Sequence, residues 1–483
     1  RVYGLRTLYE PGFRLAMARL AAVLAVVLYL ARAAVQLAGL SGGPLRWDFT
    51  QFFAAAQRLA AGRDPYADFL SRCPGHHWCP GGYIFPPLLA ELLRPLTGTG
   101  LLAASATWLV LSHVCLGLAV VVTWRALYPW LGGALGPLLL AAALLFLPLY
   151  QSLYFIQVGT LLLLLLALAA AAYLRPAPGD RFAAGAWLAL AAVLRVTPVL
   201  LAPALLVPAR AGAAEGPSAV DPGAAPGKPG KLPRLGRALP SLGGATGVAG
   251  LAGLAVAGGL LVALLAVLTP FTAEYFTTVL PRIGGGTPVL DNQSLPGLLE
   301  RTAVLLGGEV PATVEALVTL AVLAVTFAVA QRAVRGAGPG DPARPTAGSE
   351  PGRPLRAGVL AAFLAALPVA SSITWQHHLV SQLLVYPLLA PLLVTLSPAL
   401  PGVALARRLV VLSYPLMWAD RHITDAAVIV LGLAQPSGAR IAPFLVLTAV
   451  NLVGMVGLWV SSLLLLSAAG NGLGRQATGR GQG

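Results

Sequence analysis

The chain has 483 residues, of which 57% are hydrophobic and only 10% charged, against roughly a quarter charged in ordinary soluble domains. Its formal net charge is +15, yet the basic residues sit in short segments between apolar stretches, with no basic domain interleaved with aromatics. These features exclude a soluble domain and a nucleic-acid partner, and they indicate an integral membrane protein whose arginines act as topology signals.

Apolar windows of the roughly 20 residues that a bilayer core requires recur along the whole chain, which a cleaved signal peptide would not produce. Twelve hydrophobic segments are predicted, at about 14–38, 84–97, 101–124, 131–150, 157–174, 182–207, 244–268, 312–331, 357–374, 378–398, 405–435 and 441–467. After the first, in a loop over 41–83, the spacing predicts an interfacial helix from Phe49 to Ala61. Its Phe49, Phe52, Phe53, Ala56, Leu59 and Ala60 follow three-and-four periodicity. Asp48 with Gln51 fits a capping box, and Gly62 fits a C-terminal stop. Asp48 is therefore either a helix cap or, if its carboxylate faces a substrate, a general base. The chain has only 17 acidic residues, so one parked beside the bilayer is a candidate for chemistry. In the same loop, Cys73-Pro74-Gly75-His76-His77-Trp78-Cys79 is too tightly spaced for the usual four-ligand zinc module, and a local disulfide between Cys73 and Cys79 is expected. Cys115 lies in an apolar span as inert packing.

The second segment is short and opens on Pro86-Pro87, where proline suits the first helical turn. Arg195 falls inside the sixth, where an unpaired cation would cost roughly 2.5–3.5 kcal/mol on insertion scales. It needs a partner, either Glu91 of the second segment or a lipid phosphate. The stretches 209–243 and 335–356, rich in Gly and Pro with Lys and Arg, cannot bury a core and are expected to be flexible cytoplasmic linkers, while 468–483 is expected to be a disordered tail. Between the seventh and eighth segments, Glu274-Tyr275-Phe276, Arg282 and Asp291-Asn292-Gln293-Ser294 form a polar run. It is either an ordinary loop or a substrate contact, its neutral amides suiting sugar hydroxyls or phosphate oxygens. Ser371-Ser372-Ile373-Thr374-Trp375-Gln376-His377-His378 joins the ninth and tenth. On a helix adjacent histidines point about 100° apart, so one of the two is expected to face a site; the alternative is interfacial hydrogen bonding, with Trp375 a belt aromatic. Trp418-Ala419-Asp420-Arg421-His422 interrupts the eleventh segment as a helix break or an extra interfacial piece.

With a cytoplasmic N-terminus the positive-inside rule is satisfied, although Arg175 and Arg181 in one short outside loop run against it and point to an error of one span in 125–181. This topology places Asp48–Tyr83, Thr269–Glu309 and Ser371–His378 on one face of the membrane, the convergence an active site requires. Neither a Walker loop, nor a dinucleotide fingerprint, nor a nucleophile elbow occurs in a fitting context. No metal or other cofactor is indicated. A catalyst without a nucleotide site, working outside the cell membrane, needs a pre-activated substrate, and polyprenyl phosphate sugars meet that need.

The residues resemble the bacterial polytopic glycosyltransferases of the GT-C superfamily, specifically the GT87 or DUF2029 family, which includes polyprenol-phosphate-mannose-dependent α-mannosyltransferases. The matching features are Trp47-Asp48-Phe49 through Phe53, Gly62 with Pro65-Tyr66, Tyr83-Ile84-Phe85-Pro86-Pro87-Leu88-Leu89, Gln157-Val158-Gly159, Leu194-Arg195-Val196-Thr197-Pro198, Asn292-Gln293-Ser294-Leu295, and Ile373-Thr374-Trp375-Gln376-His377-His378. They run in the family's order over residues 13–400. This chain departs from the pattern with Gly159 where the family often has Asn, and with Arg195 where Lys is common.

The resemblance implies an all-α polytopic membrane fold, a GT-C-like bundle of about 12 transmembrane helices (range 10–13) with an interfacial helix in the first external loop. It implies a bacterial plasma-membrane enzyme with its site on the extracytoplasmic face, moving a sugar, mannose in the leading reading, from a polyprenyl phosphate donor to a lipid-linked or cell-envelope glycan with inversion. Asp48 would be the base, with His377, His378, Asn292, Gln293, Arg282, Arg195 and Tyr66 as substrate contacts. An arabinofuranosyltransferase using polyprenyl phosphoarabinose is the rival within the class. A transporter or lipid flippase is the rival outside it, and would spread ionisable residues along a midplane path.

Overall fold

The structure, a computed structural model, describes residues 10–42, 47–72, 82–208, 244–337, 352–419, 421–433 and 436–479. Outside these residues lie the expected linker 209–243, most of 335–356, the Cys73–Cys79 segment and the last four residues of the tail. The described elements are helical throughout. Seven helices are long and apolar enough to cross a membrane, and an eighth span forms if the pair broken by 41° before Leu147 is counted as one. The protein is thus a multi-pass helical membrane protein.

Helix α1, Pro11–Ala38, begins at a proline that suits the first turn, and its 28 residues extend about 42 Å, more than the bilayer core requires. Most of its surface is exposed apolar side chain, as expected beside lipid. Helix α2, Trp47–Ala60, is about 21 Å long and too short to span. Its Phe49, Phe52, Phe53, Ala56 and Leu59 are buried, so the predicted apolar face is the one that packs, while Ala60 is exposed. Gly62 takes φ 67° at its end.

The next elements depart from the expected spans. Helix α3, Pro87–Leu93, is one short helix that tightens into a 3₁₀ turn over Arg94–Thr99 and packs on α2. The predicted second segment therefore stays at the end of the bundle where α2 lies. Helix α4, Leu101–Leu127, runs away from it; Phe49 meets Trp108 near its start, and Ala126 O near its finish accepts from Arg353 Nη2 at 2.5 Å. Helices α5, Leu135–Leu145, and α6, Leu147–Tyr154, return across a break with Pro148 in the first turn of α6. Helix α7, Gly159–Tyr173, descends, and helix α8, Pro178–Leu194, climbs back.

At Arg195 the chain leaves helical geometry with φ −155° and ψ 124°; Pro198 has no N–H for Leu194 O, and its ring would clash with that carbonyl if α8 ran on. Thr197–Leu201 and Ala202–Leu205 then lead back down, where Ala204 O accepts from Tyr173 Oη. The predicted sixth segment thus reverses direction at Arg195, and its second half returns toward the end of α7. One consequence corrects the expected topology. Arg356 donates to Leu174 O through Nε and Nη2, so the α7–α8 turn sits beside residues 353–356, at the end away from α2. Arg125, Arg175 and Arg181 therefore lie at the same end as the start of α1, and their conflict with the positive-inside rule disappears.

Helix α9, Gly244–Leu268, rises parallel to α8 and packs against it closely. A Cβ at Gly253 would stand 2.0 Å from Phe182 O, so the two backbones approach as only small residues permit. Helix α10, Leu295–Leu305, is capped by Ser294, whose Oγ accepts from Gly297 N. Helix α11, Ala312–Gly336, descends and α12, Arg353–Ala370, rises. A 3₁₀ segment, Gln376–Leu384, then feeds α13, Val385–Thr395.

Helix α14, Val403–Leu416, ends after Pro415, and α15, Arg421–Val430, follows as a separate ten-residue helix, so the predicted eleventh segment is one span plus a short piece. The last helix, α16, Val450–Gly479, contains no proline and continues past residue 468, where a disordered tail was expected.

Candidate active site

The ends of these helices enclose a cavity of about 750 Å³, within the range of sites that hold small molecules and cofactors. Side chains from far-separated parts of the chain line it. Asp48 and Gln51 come from α2, Gln157 from the α6–α7 link, and Arg195 from the end of α8. Tyr275, Asp291 and Gln293 come from the stretch between α9 and α10, and Trp375, Gln376, His377 and His378 from the start of the 3₁₀ segment. The three polar clusters read from the sequence meet in this one space.

Asp48 lies within the first turn of α2, and its Oδ2 accepts from Gln157 Nε2. Burial pushes its carboxyl up to about 6, against the pull of the Gln157 hydrogen bond. Arg195 Nη2 lies 2.5 Å from His378 Nε2, and its guanidinium stands 5.7 Å from the centre of the Phe85 ring. Of the two partners expected for Arg195, Glu91 pairs instead with Arg94 at 3.4 Å.

His378 Nδ1 accepts from Trp375 N at 3.1 Å, and Trp375 stacks on its ring at 5.8 Å. His377 packs edge-on to His378 at 4.4 Å and lies 5.8 Å from Phe155, with its Nε2 buried and unpartnered. Both histidines line the cavity, where one was expected, because they stand at the start of a 3₁₀ turn on the cavity wall. Trp375 belongs to that wall too, rather than to a lipid-facing belt.

Other predicted residues take different places. Asn292 is fully buried and clamps two loops together. Its Nδ2 donates to Thr287 O and Ser372 O, and its Oδ1 accepts from Ser294 Oγ, Ser294 N and Thr374 N. Every hydrogen-bonding capacity of that amide is thus spent within the protein. Gln293 does reach the cavity, with its backbone tied to Thr374 O at 2.6 Å. Tyr66 is buried behind the wall, its hydroxyl donating to Phe85 O at 3.1 Å and its ring stacked on Tyr83. Arg282, in Leu280–Ile283, does not line the cavity. Cys73 and Cys79 lie outside the described residues, and among those described no group of three or more potential metal ligands occurs.

Sequence reasoning gave no site role to several cavity residues, Gln157, Tyr275 and Asp425 among them. With 84–97 counted as a span, the start of the segment 157–174 falls on the face opposite Asp48, which hides Gln157 from the site. Tyr275 was seen only as part of a polar run. It sits on a π-helical turn, Tyr275–Val279, a deviation often found at functional sites. Asp425 of α15 lines the cavity from the interrupted eleventh segment. A Cβ at Gly159 would stand 2.5 Å from Ser152 Oγ, and that hydroxyl would have to turn aside.

A membrane-crossing bundle that closes a carboxylate, a guanidinium and imidazoles around one cavity has the build of an integral-membrane enzyme. Residues 83–220 match the model described as Glycosyltransferase family 87. The matched stretch carries Tyr83–Leu89, Gln157–Gly159 and Leu194–Pro198, three of the motifs on which the resemblance rests. Two solved structures of ArnT from Cupriavidus metallidurans, one bound to undecaprenyl phosphate and one in the apo state, are each 16% identical to this chain. Each match covers 94% of this chain and 78% of the other, with TM-scores of 0.41 and 0.38. No curated protein matches.

Proposed function

We propose that the protein transfers a sugar, mannose in the leading reading, from a polyprenyl phosphate donor to a hydroxyl of a lipid-linked or cell-envelope glycan. The site faces the outside of the bacterial plasma membrane, and the transfer inverts the anomeric centre. The observation that carries this reading is the cavity itself, which holds a carboxylate with a raised pKa together with the Arg195–His378 pair.

A carboxyl near 6 is mostly ionised at neutral pH yet basic enough to accept a proton in the transition state. As the acceptor oxygen attacks the anomeric carbon, its proton passes to Asp48 and the bond from that carbon to the donor phosphate breaks. The phosphate leaves as an anion, so no general acid is needed, unlike in glycoside hydrolysis. Arg195 supplies positive charge for that leaving group, with His378 beside its guanidinium on the cavity wall. The apolar side chains Val199, Leu200 and Leu280 also line the cavity, and Val199 is 41% exposed on the outer surface. A site that opens between such residues suits a donor with a hydrocarbon chain.

The test is incubation of the purified protein in lipid with a panel of radiolabelled polyprenyl phosphate sugars and membrane acceptors. Label should move from polyprenyl phosphomannose. Transfer from polyprenyl phosphoarabinose alone would favour the rival within the class. Inactivity with every donor, alongside ligand uptake into vesicles, would overturn the reading in favour of transport.

A further inference from the structure

The link between α6 and α7 carries the least ordinary backbone in the described structure. Helix α6 ends with Ile156 N donating to Leu153 O at 3.1 Å and Gln157 N donating to Ser152 O at 2.8 Å. This is the Schellman pattern, whose left-handed residue is usually glycine. At the end of α2, Gly62 takes that place, with Gly62 N donating to Leu59 O and Arg63 N to Arg58 O. At the end of α6 it is taken by Ile156, at φ 53°, the one non-glycine residue of positive φ among those described.

A β-branched residue in that conformation costs of order 1–3 kcal/mol and persists only where its surroundings over-determine it. Ile156 is fully buried, so its side chain supplies that constraint. The next residue is Gln157, which is 5% exposed. Its Nε2 donates to Asp48 Oδ2, and its Oε1 is buried without a partner. The amide has this sense because an ionised carboxylate only accepts, so Nε2 must face it. The fold thus tolerates both a strained residue and an orphaned carbonyl to bring one N–H to one carboxylate oxygen.

We propose that Gln157, aimed by the strained turn at Ile156, is the positioning residue of Asp48: it holds Oδ2 so that Oδ1 is left to receive the proton of the acceptor hydroxyl. This rests on the reading of Asp48 as the base. A hydrogen bond to the ionised form favours that form, so removing it should raise the carboxyl further. The other titratable groups lining the cavity, Arg195, Tyr275, Asp291, His377, His378 and Asp425, are unchanged in the variants that test this.

The full-length protein in lipid nanodiscs is titrated by infrared difference spectroscopy of its protonated carboxyl bands, with Asp48→Asn as the blank. Gln157→Leu should raise the Asp48 midpoint by about one pH unit, and the near-isosteric Gln157→Glu, which sets a second carboxylate beside the first, should raise it more. In transfer from polyprenyl phosphomannose, the acid limb should move by the same amount. kcat should fall about 100-fold while the donor KM stays within about twofold. A midpoint that moves in neither variant overturns the proposal, as does an unmoved acid limb. Retained transfer in Asp48→Asn overturns instead the reading of Asp48 as base, and the carboxyl midpoint still shows whether Gln157 holds it.

Discussion

At the scale of single residues, the structure separates groups that can act from groups that hold the frame. Asp48→Asn should abolish transfer while leaving folded protein, since the Asp48 carboxylate is held by Gln157 across the cavity wall. Raising an acid from its ordinary 3.8 to about 6 means that folding favours the protonated form. That contribution is present at low pH and is lost as pH rises through about 6, so ionised Asp48 costs up to about 3 kcal/mol at neutral pH. The thermal midpoint of Asp48→Asn at pH 7.5 should therefore match or exceed the wild type, and a clear fall would restore the capping role. In wild type, kcat/KM should fall as pH drops through about 6, because only the ionised form accepts a proton. Asn292→Ala should behave in the opposite way. It orphans buried donors and acceptors on two loops, at a cost of about 2–4 kcal/mol, and should appear as a lowered melting temperature rather than a raised KM. Of the residues singled out in the sequence, Asp48, Arg195, Gln293, His377 and His378 reach the cavity. Asn292 and Tyr66 share the polar character that drew attention to them, and composition does not reveal which way a side chain faces.

At the scale of elements, the decisive features are where helices stop and how closely they pass. Arg195 reads in sequence as a cation inside an apolar span, but Pro198 ends α8 and sets it at the cavity instead. The α8–α9 contact depends on glycine. Gly253→Leu would drive a side chain into the Phe182 carbonyl and should destabilise the protein by about 1–3 kcal/mol or more, read as a fall in melting temperature in detergent. Since Arg195 ends one of these two helices, the same variant should also weaken transfer in whatever folded fraction remains. The segment 84–97 shows why apolar length misleads at this scale. Its residues are hydrophobic because α3 buries Leu89, Ala90 and Leu93, not because they cross a bilayer.

For the whole molecule, the arrangement of ends fixes which loops share a side. In a background lacking Cys73, Cys79 and Cys115, cysteines placed at Arg175 and Arg335 should label with a membrane-impermeant thiol reagent from the same side. A cysteine at Ser71 should label from the other side. Labelling of position 175 together with position 71 would restore the topology first read from the sequence. With Arg125, Arg175 and Arg181 moved to the N-terminal end, the charge asymmetry of the protein becomes stronger, as the positive-inside rule expects.

The sequence by itself determined the solvent, the class of element and the ordered set of motifs, because apolar length and local residue order are properties of the chain alone. It also made Asp48 stand out, since a carboxylate beside a bilayer has few reasons to be there. Only the tertiary structure decided that Gln157 meets Asp48 across 109 positions and that Arg195 meets His378 across 183. Those meetings depend on the parity of the crossings, and one buried segment mistaken for a span inverts the parity of all that follows until a second departure restores it. Periodicity reports that a helix is apolar; packing decides whether lipid or protein covers it, and so which side of the membrane its ends reach.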